Sequence, residues 1–162
     1  MSVVFGNSNG AICGLVQRAL RDAGFDSVPV HIAILDKGQR SVKGLNSGSE
    51  GIVTVDLILT VRKRATGEAR GQPPALADAA YLLEGALRSL DEERSLNPSY
   101  VYAATVREAI RRHQRVDHLH LGDVLIALRN AGYAIDSKTG LLSRPVSARR
   151  LLASSRVPTR AT

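Results

Sequence analysis

The residues best suited to chemistry stand in one short basic stretch, Asp36-Lys37-Gly38-Gln39-Arg40-Ser41-Val42-Lys43-Gly44. Lys37, Arg40 and Lys43 recur at every third position among Gly and Ser residues that loosen the backbone. Flexible backbone with spaced cations is suited to holding phosphate, although a solvated hairpin loop has the same composition. A second basic run, Arg62-Lys63-Arg64, follows the next apolar segment. Lys37, Arg40, Lys43, Arg62, Lys63 and Arg64 are therefore the expected nucleic-acid-binding residues. The formal charge of +7 favours a polyanionic partner, and further cations cluster at 111–115 and 144–160.

Other constellations read as structural. His113, His118 and His120 invite a metal, but no Cys accompanies them. On a helix His118 and His120 would point to opposite sides. A solvated connector is the better reading. Cys13 lies beside an apolar helical stripe with no His nearby, as a small packing residue does. As the single cysteine it excludes an internal disulfide and fits a reducing cytoplasm. Asp56 sits in an apolar strand, either as a working acid or satisfied by a neighbouring Lys or Arg. Gly6-Asn7-Ser8-Asn9-Gly10 matches neither G-x-G-x-x-G nor the phosphate-binding G-x-x-x-x-G-K-[ST] pattern, and reads as a polar turn capping a helix. No catalytic residue and no metal ligand is assigned.

These residues need elements to hold them. Val3-Val4-Phe5 is a short strand, followed by a helix with Ile12, Leu15, Val16, Ala19, Leu20 and Ala23 on its apolar stripe. Asn7, Ser8 or Asn9 caps its start, and Gly24 ends it with Phe25 folding back. Val30–Leu35 is a second strand parallel to the first. Ile52–Val61 returns antiparallel through the basic loop. Val53, Val55, Leu57, Leu59 and Val61 alternate with Thr54, Asp56 and Thr60. Ile58 breaks that alternation, so the second face is expected to be partly covered.

Residues 65–73 form a linker by composition, and residues 74–143 are helical with a terminal hairpin. Pro74 fits a first helical position, with Leu76, Ala79, Leu83, Ala86, Leu87 and Leu90 as the stripe. Asn97-Pro98 starts the next helix, lined by Tyr102, Val106, Ala109, Ile110 and His113. A third helix spans about His120 to Ala131, with Gly132 as its stop. Tyr133–Ile135 and Leu141-Leu142 flank a turn and predict a β-hairpin. Helices plus hairpin resemble a winged helix, or equally a small α+β cap, since Asp123 and few cations occupy the would-be recognition helix. Residues 144–162 read as a basic, disordered tail. No apolar run approaches membrane-spanning length, so the expectation is a cytoplasmic chain with no membrane partner.

Two segments carry a family resemblance. Leu35-Asp36-Lys37-Gly38-Gln39-Arg40-Ser41-Val42-Lys43, followed by Val55-Asp56-Leu57-Ile58-Leu59-Thr60-Val61-Arg62-Lys63, resembles the C-terminal part of site-specific, amino-methylating DNA methyltransferases of the adenine type. In that family a "DK…S-x-K" loop precedes a final "DL-hydrophobic…K" strand. Val4–Phe25, ending Ala19-Leu20-Arg21-Asp22-Ala23-Gly24-Phe25, is similar to the strand and helix before the loop, and Tyr100–Leu142 to the C-terminal extension. The implied fold is α/β, a partial class I methyltransferase sheet (strand, helix, strand, antiparallel strand) followed by a small helical region. The implied role is to supply DNA contacts and a sheet edge.

The departures from the family are equally specific. The family's Asp/Asn-Pro-Pro-aromatic motif has only Gln72-Pro73-Pro74-Ala75 in its stead, and Phe5-Gly6-Asn7-Ser8-Asn9 lacks the Phe-x-Gly-x-Gly spacing. The resemblance thus implies a fragment or subunit that is inactive alone and holds no cofactor by itself, S-adenosylmethionine belonging to the complete enzyme. The implied partners are DNA and a catalytic half, or a second copy, joined at the Val3–Phe5 edge. A DNA-binding or regulatory winged-helix module without activity is the alternative.

Overall fold

The computed structural model describes residues 1–26, 28–36, 53, 55–65, 75–91, 94–136 and 139–143. It is a mixed α/β structure. The first unit is β1 (Ser2–Phe5), α1 (Gly10–Asp22), β2 (His31–Asp36) and β3 (Val55–Thr60). β3 lies between the other two strands and runs antiparallel to both, so β1 and β2 share a direction without touching. Val3–Leu59–Ile32 and Phe5–Leu57–Ile34 form rows across one face, and Val4–Ile58–Ala33 forms a row across the other. The first face is the core side, where Leu57 and Leu59 are buried. On the second face Ile58 is half-buried and Val4 remains 54% exposed.

The second unit is β4 (Ala75–Leu76), α2 (Ala79–Arg88), α3 (Pro98–Arg111), β5 (Gln114–Arg115), α4 (Leu121–Asn130) and the hairpin β6 (Ala134–Ile135) with β7 (Leu142–Ser143). Asn97 caps α3 by accepting from the Ser99 N–H, with Pro98 at the first helical position. α3 is buried on nearly every side; its Thr105 hydroxyl, donating to the Val101 carbonyl at 2.8 Å, leaves no unmet polar group there. The expected units 1–64 and 74–143 feed one core. Cys13, Val55, Leu57 and Leu59 pack in it with Leu82, Tyr102, Val106, Val116, Leu119, Val124, Leu128 and Leu142.

The join is made by two glycines. A Cβ on Gly10 would lie 2.2 Å from the Leu119 carbonyl oxygen, and one on Gly14 would lie 2.4 Å from Asp117 Cβ. Without side chains there, the Val116–Leu119 segment runs directly against α1. Gln17 locks the contact: its Nε2 donates to the Gln114 carbonyl at 3.0 Å, and its Oε1 accepts from the Val116 N–H at 3.2 Å.

This contact corrects the expected face of α1. Gly10, Cys13 and Gly14 are buried, whereas Ile12 and Leu15 are 44% and 55% exposed and Ala19 and Ala23 also face solvent. Three further expectations change. α2 begins at Ala79, because Asp78 caps the Ala80 and Tyr81 N–H groups, while Ala75–Leu76 pairs in parallel with β5 and leaves Leu76 exposed. The first helical position of α2 is Ala79, and Pro74 lies outside the described residues. His113 lies past the end of α3 at φ 57, in the left-handed region that ends the helix. The third strand is seen from Val55, residues 52 and 54 being outside the described set. α1 and α4 end as their glycines suggest. Phe25 N–H donates to the Leu20 carbonyl and Tyr133 N–H to that of Leu128, around Gly24 (φ 84) and Gly132 (φ 87).

Candidate nucleic-acid interface

The two basic groups named as nucleic-acid-binding attach to opposite ends of the sheet. The basic loop leaves β2 at Asp36, which pairs with Val55 at the first residue of β3. Arg62, Lys63 and Arg64 follow the last residue of β3, Thr60. Seven residue steps separate Val55 from Arg62, about 23 Å at ~3.3 Å per residue. Lys37, Arg40 and Lys43 lie outside the described residues.

Arg62 and Arg64 have work inside the fold. The Arg62 Nε donates to Asp26 Oδ2 at 3.0 Å, and Arg64 Nη2 donates to the Arg21 carbonyl at 3.1 Å, at the C-terminal end of α1. A cation at that end meets the negative pole of the helix. Backbone bonds from Asp26 N–H to the Arg62 carbonyl and from Arg64 N–H to the Gly24 carbonyl zip the two segments together. Lys63 is exposed. The sequence presented all three as surface cations; nothing in its spacing showed that Arg64 would bond the end of α1 and Arg62 the Asp26 carboxylate.

The β1–α1 turn, at the C-terminal end of β1, is equally committed to the fold. Asn9 caps α1 through the Ala11 N–H. Gly10 N–H donates to His120 Nδ1 at 3.1 Å, and Leu121 N–H donates to the Ser8 carbonyl at 3.0 Å. His120 in turn begins α4, its N–H donating to Asp123 Oδ2 at 2.8 Å. A Cβ on Gly6 would stand 2.0 Å from Asp56 Oδ1 and 2.7 Å from the Val55 carbonyl. The open side of that glycine is therefore filled by β3 of the same chain. The turn does not fit S-adenosylmethionine, which needs glycine backbone left free for close approach.

The remaining candidates are accounted for by packing. His118 Nε2 bonds the Ala77 carbonyl, holding the start of α2 to the β5–α4 segment. Among the described residues no three His, Cys, Asp or Glu side chains gather as a metal site would require. Cys13 is buried, its Sγ 3.9 Å from the Asn7 carbonyl and 4.0 Å from the Tyr102 hydroxyl, which donates to the Leu119 carbonyl at 3.3 Å. Burial pushes the Cys13 thiol up from its ordinary value, and burial followed by the neighbouring thiol pushes the Tyr102 phenol up as well. Both stay neutral near pH 7, which suits packing and not nucleophilic attack. α4, the would-be recognition helix, offers solvent Gly122, Asp123, Ile126, Arg129 and Asn130. One cation beside an exposed Ile is a poor surface for phosphate.

Among the described residues no helix is long and apolar enough to cross a membrane. Comparison with protein-family models, curated proteins and solved structures finds no match.

Proposed function

We propose that this chain is the C-terminal portion of an amino-methylating DNA methyltransferase, contributing a sheet edge and DNA contacts to a catalytic portion outside these 162 residues. One observation carries the reading: an antiparallel β3 set between co-directional β1 and β2, with β1 open on its outer side among the described residues. The resemblance carried by the "DK…S-x-K" loop and the strand after it implies a sheet that closes with an antiparallel strand, and this arrangement supports that reading.

The open edge is chemically ready for another strand. Met1 and Val61 exchange both backbone bonds, at 3.0 and 2.9 Å, so the alternation of an antiparallel pair turns the N–H and C=O of Ser2 and Val4 outward. Val4, half exposed, lies in this strand, and the helix that follows it exposes Ile12 and Leu15. Apolar edge strands without protective charge recruit partners. In this reading the Asp36 end of β2 carries Lys37, Arg40 and Lys43 to the DNA backbone, where they position the duplex without reading sequence. S-adenosylmethionine binds to the other portion.

The test is methyl transfer from labelled S-adenosylmethionine to duplex DNA. The chain alone transfers none. With a polypeptide that carries the Pro-Pro-aromatic and glycine motifs, transfer appears, and Val4→Lys prevents it. Transfer by the chain alone would refute the reading.

A further inference from the structure

We propose that the α2–α3 surface holds a phosphate-binding site built on Arg107 and Arg111, which takes the backbone of duplex DNA. The two arginines are four residues apart on α3 and so share one face of the helix. Like charges at that spacing destabilise a helix unless something neutralises them. The acids of these two helices are already engaged. Glu84 pairs with Arg88, and Glu108 bonds Arg112 at 2.7 Å, whose guanidinium also lies 5.1 Å from the centre of the Tyr81 ring. Asp91, just beyond α2, pairs with Arg94 at 3.3 Å. Glu108 attracts Arg107 less than burial and Arg111 disfavour it, and among the described residues neither Arg107 nor Arg111 forms an ion pair.

Arg107 is also held in place. It is half-buried, and its Nη2 donates to the Ser89 hydroxyl at 2.5 Å; that hydroxyl itself donates to the Ala86 carbonyl. Burial, and after it the charge of Arg111, draws the Arg107 guanidinium below its ordinary value, an environment that an anion would relieve. A fixed guanidinium beside a second, exposed one presents several N–H donors in a planar fork, the geometry that phosphate oxygens accept. The structure therefore gives the cations of 107–112 different duties: Arg112 stiffens the helix pair, Arg107 is pinned to Ser89 through one Nη, and Arg111 is exposed beside it.

The inference rests on the DNA-binding reading above and adds a contact to it. The experiment is fluorescence anisotropy of the full chain with a labelled duplex of arbitrary sequence, titrated between 50 and 200 mM salt, at the ~0.9 slope units expected per phosphate contact. Arg111→Gln, at a site with no side-chain bond among the described residues, flattens the salt slope by about 0.9 and weakens binding several-fold, alike on unrelated sequences. Arg111→Lys keeps most of the slope, and Arg107→Gln behaves like Arg111→Gln. Arg88→Gln, which removes a cation already paired, leaves the slope unchanged. Unchanged slopes in both glutamine variants, with the wild type binding, overturn the arginine site alone. So does an equal loss in Arg88→Gln, which would mean diffuse charge. A wild-type chain that binds no DNA removes both this site and the DNA contacts of the proposed function.

Discussion

Replacing Gly14 by alanine tests the contact that unites the chain. The added Cβ would stand 2.4 Å from Asp117 Cβ, 2.8 Å from its Cα and 3.1 Å from its nitrogen. Comfortable carbon contacts begin near ~3.5 Å, so the intrusion is about 1 Å against backbone. The segment cannot retreat freely. Gln17 ties it through Gln114 and Val116, and Tyr102 ties it at Leu119. Overpacking of this kind costs about 1–3 kcal/mol, and each hydrogen bond lost adds about 1 kcal/mol. Alanine's better helix propensity returns roughly 0.5–1 kcal/mol. The net expectation is a loss of about 1–3 kcal/mol, or a fall in melting temperature of roughly 2–12 °C for a chain of this size. Gly122 is the internal control, since a Cβ there meets nothing within 4 Å. Gly122→Ala should be neutral or stabilising by up to about 1 kcal/mol. Thermal and urea unfolding followed by circular dichroism read both variants. A Gly14→Ala protein as stable as wild type, with Gly122→Ala behaving as expected, would refute the packing of α1 on Val116–Leu119.

Other consequences are direct. Asp117 accepts from Arg115 and also faces Arg18, and chiefly the Arg115 hydrogen bond holds its carboxyl below the ordinary range. A folded value below the unfolded one contributes stability that is complete above the unfolded value of about 3.9 and is lost as pH falls through the folded one. Asp117→Asn should therefore lower stability near neutrality and flatten the acid limb of a stability–pH curve; an unchanged limb would contradict the pairing. Cys13, buried with its thiol raised, should resist iodoacetamide at pH 7.5 in the native chain and react promptly in urea, as mass spectrometry would show. Fast native alkylation would mean that the α1–α3 contact opens. Val4→Lys places a charge on the open edge at an exposed position, so any self-association seen by analytical ultracentrifugation should weaken while the melting temperature holds. Persistent association would put the contact elsewhere.

Much of the framework was readable from residues whose local chemistry acts alone. Asn97-Pro98, Gly24 and Gly132 begin and end helices by capping, whatever surrounds them. The alternation of Val55, Leu57 and Leu59 marked the buried face of β3 because one strand face meets the core. The buried side of α1 was not readable. Hydropathy chose Ile12 and Leu15, while close approach chose Gly10 and Gly14, residues that carry no hydropathy signal. The short parallel pairing of Ala75–Leu76 with Gln114–Arg115 joins segments far apart in sequence, and two residues carry no period. At the candidate interface, sequence identified cations without distinguishing those spent internally, such as Arg62 and Arg64, from those left over, such as Arg111. That distinction depends on which acids and carbonyls the fold brings within reach.

The most direct measurement is radiolabelled methyl transfer to duplex DNA, with the purified chain alone and with a separately purified polypeptide bearing the Pro-Pro-aromatic and glycine-rich motifs. Transfer that requires both polypeptides, and disappears with Val4→Lys, is the predicted result. Methylation by these 162 residues alone would contradict it, as would a complementing pair indifferent to the β1 edge.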